Sequence, residues 1–284
     1  MKKIAVVISG WHYPYLFYKQ IKDQQMPKGY DLDIYVVSHR DPDLDVVYNE
    51  KQELLPKMGE GGLQDLDKEL YSRIITKEEL KEMGFIYNEE PNEIGDLFLL
   101  NQWIQRHWDS QYEYVMYTHD DTYMLSNQMF VDIFEKKANL IFNPTKGTVQ
   151  EIPNDFSWDH LASGVHPGTT CPRTSFTVLS KKLLNEISPV FKELATEGTD
   201  LNRVNETSTP YELNDQKINT AILSSWNAPG RNFWRWCEEN GYHDKSVRLS
   251  DTYRVTPYFI EAERGFLFSP DGALSLINYI NSLS

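Results

Sequence analysis

Strand-like and helix-like runs alternate through the first half of this chain, and that alternation limits the folds open to it. Ile4 to Ser9 is a short apolar run that reads as a buried strand, and Tyr15 to Asp23 reads as a helix carrying Leu16, Tyr18 and Ile21. Leu32 to Ser38, dense in Ile, Tyr and Val, is a second strand. A polar, partly helical stretch follows from Asp41 to Met83, in which Gly59 to Gly62 reads as a loop. Thr76 to Glu79 fits a capping box for a short helix. Phe85 to Tyr87 is a short strand, and Ile94 to Trp108 repeats its apolar residues at helical spacing. Tyr114 to Tyr117 is a further strand, and a helix runs from Ser126 to near Lys137. Strands that alternate with helices predict an α/β fold, a mostly parallel sheet with helices on both faces. Ligands of such sheets sit beyond the carboxyl ends of the strands.

The second half is less regular. Asn143 to Arg173 is rich in Pro, Gly, Asp, His and Trp, and reads as a long functional loop. Thr174 to Leu179 predicts a strand and Ser180 to Leu194 a helix. Thr209 to Ser225 predicts another helix, capped by Thr209, with Pro210 in its first turn and Glu212 completing a capping box. Short strands near Val247 to Leu249 and Tyr258 to Glu261 precede a closing helix.

At 284 residues, one α/β domain can account for the whole chain. The formal net charge of -14 argues against nucleic acid or an anionic membrane surface as the main partner, since both would repel it. An anionic nucleotide remains compatible if a divalent cation supplies positive charge. The two cysteines, Cys171 and Cys237, form no zinc pattern and imply no oxidising compartment. The apolar run after Met1-Lys2-Lys3 is too short for a signal peptide, and no window is long enough to span a membrane. The expected location is the cytoplasm.

Chemistry is therefore sought at the strand ends. They read Ser9-Gly10-Trp11-His12, Ser38-His39-Arg40-Asp41, Asn88-Glu89-Glu90 and Thr118-His119-Asp120-Asp121-Thr122. The last is the most informative, because a hydrophobic strand delivers two adjacent carboxylates. Such a pair repels itself, and a divalent cation would relieve the cost. Oxygen ligands suit magnesium or manganese, which also bind diphosphate oxygens. An acidic turn in solvent is the plain alternative.

The stretch His119-Asp120-Asp121-Thr122 resembles the aspartate motif of the GT-A glycosyltransferases, in which a strand ends in Asp-any-Asp. The resemblance implies a GT-A type, Rossmann-like sheet with an irregular acceptor-side half. Residues 1–142 would bind the nucleotide and 143–284 the acceptor. It implies Asp121 as metal ligand and Asp120 facing the donor ribose or sugar. His119 stands where an aspartate is usual, and can ligate manganese or hydrogen-bond the donor. Asn92 to Ile104 is similar to the family's Gly-then-Asn helix beneath the nucleotide, which singles out Asn101. Asp41 matches the acidic residue placed against the nucleobase, and Ser9 and Gly10 the backbone that lines the base. A simple Asp-Pro turn and a tight glycine turn would explain these equally.

Asp215 with Gln216 and Asn219 resembles the Asp-Gln element of retaining GT-A families, and matches in position the Glu-Asp element of inverting ones. Asp215 is thus the candidate catalytic residue, as general base or as positioner of the sugar, and Gln216 a donor contact. His243 is the candidate C-terminal histidine of the metal site. The implied activity is metal-assisted transfer of a sugar from a nucleoside diphosphate sugar to a hydroxyl of a saccharide or other acceptor. Two alternatives stand. One is sugar nucleotidyl transfer, although Trp11-His12-Tyr13-Pro14 lacks the Gly-rich basic loop it uses. The other is a non-catalytic saccharide- or nucleotide-binding protein whose metal site has decayed at His119.

Overall fold

Period-two alternation in the central strands sorts the core into two layers. In the first strand, Ile4, Val6 and Ile8 face one side, and Ala5 and Val7 the other. Each strand therefore needs cover on both faces, and the computed structural model supplies it. The structure describes residues 1–10, 12–39, 41–42, 74–90, 97–109, 111–144, 172–196, 211–213, 216–218, 233, 236–249 and 256–261.

The elements are β1 (Lys2–Ser9), α1 (Tyr15–Lys22), β2 (Tyr30–Ser38), α2 (Lys77–Glu82), β3 (Ile86–Glu89), α3 (Phe98–His107), β4 (Tyr112–His119), β5 (Thr122–Met124), α4 (Met129–Glu135), β6 (Leu140–Pro144), β7 (Pro172–Ser180), α5 (Lys181–Thr196), β8 (Tyr211–Leu213), β9 (Gln216–Ile218), β10 (Ser246–Arg248) and β11 (Phe259–Glu261). Seven strands form one sheet in the order β10-β6-β7-β4-β1-β2-β3. All its pairings are parallel except those of β7, which runs against β4 and β6. This is the expected α/β architecture. The carboxyl ends of β1, β2, β3, β4, β6 and β10 consequently share one edge.

Phe17, Tyr18 and Ile21 of α1 cover one face together with Phe130, Ile133 and Phe134 of α4. Leu100, Trp103 and Ile104 of α3 cover the other with Leu183, Leu184, Ile187 and Phe191 of α5. Burying one such side chain contributes about 1.5–3 kcal/mol. The capping box forms as expected: Thr76 Oγ1 accepts from Glu79 N–H, and the Glu79 carboxylate accepts from Thr76 N–H. Among the described residues no helix is long and apolar enough to cross a membrane.

Two expectations change, and one strand pairing adds to them. Residues 211–213 and 216–218 are extended and pair antiparallel, Leu213 against Gln216, in place of the helix expected from Thr209 to Ser225. Tyr211 and Ile218 alternate with polar neighbours at strand spacing, so pairing overrides the capping signal. β6 occupies the beginning of what read as a long loop, because Leu140, Ile141 and Phe142 bury between β7 and β10. Finally, β5 follows β4 directly and pairs with β11, which brings Glu261 beside Thr122.

Candidate functional site at the carboxyl edge of the sheet

Parallel register sets Ser9 of β1 beside His119 of β4 and beside Val37 of β2. Ser9, Gly10 and the His119–Asp121 corner therefore meet at one edge. Asp41 lies just beyond β2 at the same edge. Asp121 is half-buried, and β5 begins immediately after it, held through Leu125 N–H to Tyr258 O at 2.7 Å.

Asp120 departs from the expected role. Alternation along β4 carries Met116, Thr118 and then Asp120 to the α1 face. Its carboxylate is fully buried there. Asp120 accepts from His12 N–H at 3.1 and 2.9 Å, from Tyr13 N–H at 2.7 Å and from Tyr18 Oη–H at 3.1 Å. Three donors from the protein thus compensate the buried charge that the sequence assigned to a donor ribose or a shared cation. Burial, reinforced for Tyr18 by the Asp120 charge, holds the phenols of Tyr13 and Tyr18 well above their ordinary range, so both stay protonated.

The segment so held is strained. Tyr13 has φ of +54°, a left-handed backbone that a bulky residue seldom adopts. Its C=O accepts from Ile75 N–H at 2.9 Å, and its ring lies under Gly10. A Cβ on Gly10 would come within 3.0 Å of that ring. Gly10 N–H donates to Val37 O at 3.0 Å, and its C=O accepts from Ser38 Oγ at 2.5 Å. Close approach of the Tyr13 ring therefore favours glycine at this position, a reason that neither a base-lining backbone nor a tight turn supplied.

Asp41 pairs with Lys77 of α2 at 3.0 Å, and Lys77 also contacts Glu89 at the end of β3 and lies over the Tyr87 ring. One lysine thereby straps two strand ends. The hydrogen bonds to Glu89 and Asp41 raise its pKa above the ordinary lysine range. Glu90, next along, is buried beside Arg106, whose Nη1 stands 2.8 Å from Glu90 Oε1 without aligning a hydrogen bond to it. Burial raises the Glu90 pKa, and the nearby guanidinium opposes the shift.

Asn101 lies in the first half of α3, buried in the second layer, and its Oδ1 has no hydrogen-bond partner. Asn143 was not anticipated. It lies near the carboxyl end of β6, fully buried, with neither amide atom hydrogen-bonded. Its neighbour Phe142 is level with Tyr117 through Thr177, and the β6–β7 register shifts just beyond. Its only sequence signal was the place where an apolar run gives way to the loop.

His243 does not join this site. It precedes β10, whose Ser246 is level with Val115 through Leu140 and Leu179. His119 lies four residues further along and three strands across, roughly 13 Å and 14 Å at ordinary strand spacings. That places His243 toward the opposite edge, out of reach of a cation at Asp121. Asp215 lies outside the described residues, and Gln216 is described only as part of β9. Among the described residues, no three His, Cys, Asp or Glu side chains gather as a metal-binding group.

No family model matches the chain. No curated protein matches it. Among solved structures, it is similar to S. aureus TarS 1-349 in complex with UDP, with 14% identity and a TM-score of 0.44 over 94% of this chain and 62% of that one. A second S. aureus TarS structure gives 13% identity and a TM-score of 0.42, over 94% of this chain and 38% of that one. The glycosyltransferase GlyE of Streptococcus pneumoniae TIGR4 gives 13% identity and a TM-score of 0.36, over 88% of this chain and 46% of that one. The chain thus spans less than two thirds of each.

Proposed function

We propose that the chain transfers a sugar from a nucleoside diphosphate sugar to an acceptor hydroxyl, assisted by a divalent cation. The observation that supports this best is the in-register meeting of Ser9 and His119 at the carboxyl edge, with Asp121 following on the same corner. The base would lie along Ser9, Gly10 and Asp41, over the strand ends on the β2 side. Asn101, whose buried Oδ1 is unpartnered, stands in the helix on that side.

His119 and Asp121 would hold manganese or magnesium. One nitrogen and one carboxylate are few ligands, but magnesium sites of this kind complete themselves with phosphate oxygens and water. When bound, the cation would neutralise the diphosphate leaving group. Asp215 remains the proposed catalytic residue, as the base of an inverting reaction or the sugar-positioning group of a retaining one. The acceptor would be a saccharide or another hydroxyl compound.

The test is incubation with a panel of nucleotide sugars and manganese. Release of nucleoside diphosphate supports the proposal. Pyrophosphate chemistry would replace it with nucleotidyl transfer, and no turnover with any donor would favour the non-catalytic alternative.

A further inference from the structure

We propose that Asp120 is a positioning residue whose carboxylate latches the β1–α1 loop into the form that walls the donor site, with Tyr18 as the far anchor of that latch. The inference rests on the donor-site reading above. Four contacts from three donors converge on one fully buried carboxylate. Two of those donors are the consecutive backbone N–H groups of His12 and Tyr13. A carboxylate is well suited to this, since it accepts at both oxygens and donates nothing.

The latch opposes a backbone strain, since Tyr13 adopts a left-handed φ with a large side chain. Released from Asp120, Tyr13 would relax toward negative φ and withdraw its ring from beneath Gly10. Gly10 follows directly on Ser9, which is paired with His119. Movement of Tyr13 would thus reach the wall of the site without Asp120 ever touching a donor.

Tyr18 separates this role from direct contact. Its ring packs against those of Phe17, Phe85 and Tyr13, and the residue is fully buried, away from any bound nucleotide. If Asp120 contacted the donor itself, Tyr18→Phe would leave nucleotide affinity unchanged. If Asp120 acts through the loop, Tyr18→Phe weakens the latch. Tyr35→Phe is the control. It removes a buried hydroxyl bonded at 2.8 Å to Tyr112, near the opposite edge of the same sheet.

The experiment titrates wild type, Asp120→Asn, Tyr18→Phe and Tyr35→Phe with UDP, GDP, CDP and ADP, each with manganese. Hydrogen exchange of the segment Ser9–Leu16 is followed in parallel. The expected result is about a 2- to 10-fold loss of affinity in Tyr18→Phe, one ordinary hydrogen bond's worth, and a larger loss in Asp120→Asn. Exchange should rise in the same order, while Tyr35→Phe binds and exchanges as wild type. Loss of affinity in Asp120→Asn with wild-type behaviour in Tyr18→Phe overturns the latch in favour of direct contact. Wild-type exchange in both variants overturns it outright. Should Asp120→Asn not fold, Tyr18→Phe against Tyr35→Phe decides alone. A wild-type protein that binds none of the four nucleotides overturns the donor-site reading and the positioning role with it. The exchange arm still separates that result from failure of the latch itself.

Discussion

Two carboxylates are buried at the carboxyl edge of the same sheet, and their surroundings differ. At the β1–β4 corner, Asp120 receives N–H groups from His12 and Tyr13 and the hydroxyl of Tyr18. At the β3–α3 corner, Glu90 has a half-exposed Arg106 at 2.8 Å and no aligned hydrogen bond on either oxygen. Burial alone would disfavour charge at both. What separates them is directed donors, which stabilise an anion where it stands. The contrast teaches that a buried acid at a strand end is not by itself a ligand site. Asp120 is met by donors of the β1–α1 loop, and Glu90 by a single guanidinium.

The largest expected effect breaks the better-served carboxylate. Asp120→Asn replaces an acceptor by an amide N–H₂ facing N–H donors, and should lower unfolding free energy by about 3 kcal/mol in denaturant titration. Gly10→Ala attacks the same corner from the other side. Its methyl would meet the Tyr13 ring, so a loss of about 1–3 kcal/mol is expected. Glu90→Gln should move the opposite way. Folding raises the Glu90 pKa, so its ionised form is the disfavoured one. The cost is fully present above the folded pKa and relieved as pH falls below the unfolded value. At neutral pH the neutral amide should therefore raise Tm slightly, and the gain should vanish in acid. A marked loss at pH 7 would mean that Arg106 compensates Glu90 as fully as the loop compensates Asp120.

The smallest effect comes from His107, which neighbours this second corner. Burial, and after it the Arg106 charge, lowers its pKa below 6.5. Asn88 Nδ2 stands 2.8 Å from His107 Nε2, a contact that suits a neutral, accepting ring. A depressed pKa gives stability that is present above the unfolded value and lost as pH falls through the folded one. Tm should thus decline from about pH 6.5 downward, and His107→Gln should flatten that part of the profile.

Much of the scaffold could be read from residue pattern. Apolar runs such as Ile4–Ser9 and the helical spacing of Leu97, Phe98 and Ile104 report burial directly, and burial orders the layers. Thr76 and Glu79 were legible because a capping box is local. The convergence of Ser9 and His119 was legible because parallel strands place their ends together. That donors of the protein take up the Asp120 carboxylate was not. It depends on which face each side chain takes and on backbone donors of a loop more than a hundred residues away, with His12 to Asp120 separated by 108 positions. Asn143 was hidden for the same reason, since an unpartnered amide is a property of surroundings. His243 was singled out as the late histidine that the family resemblance implies, and such a resemblance says nothing of which sheet edge the turn before β10 occupies. The paired residues 211–213 and 216–218 read as helix because Thr209 and Pro210 precede them in the sequence as a capping signal would.

On the proposed reading, Asp121 would serve a cation while its neighbour Asp120 serves the protein. Crystals grown with manganese and UDP, measured at the manganese absorption edge, test it most directly. The account predicts an anomalous peak within bonding distance of an Asp121 carboxylate oxygen, with Asp120 still accepting from His12 and Tyr13. A peak bonded to Asp120, with those two N–H groups released, would contradict it.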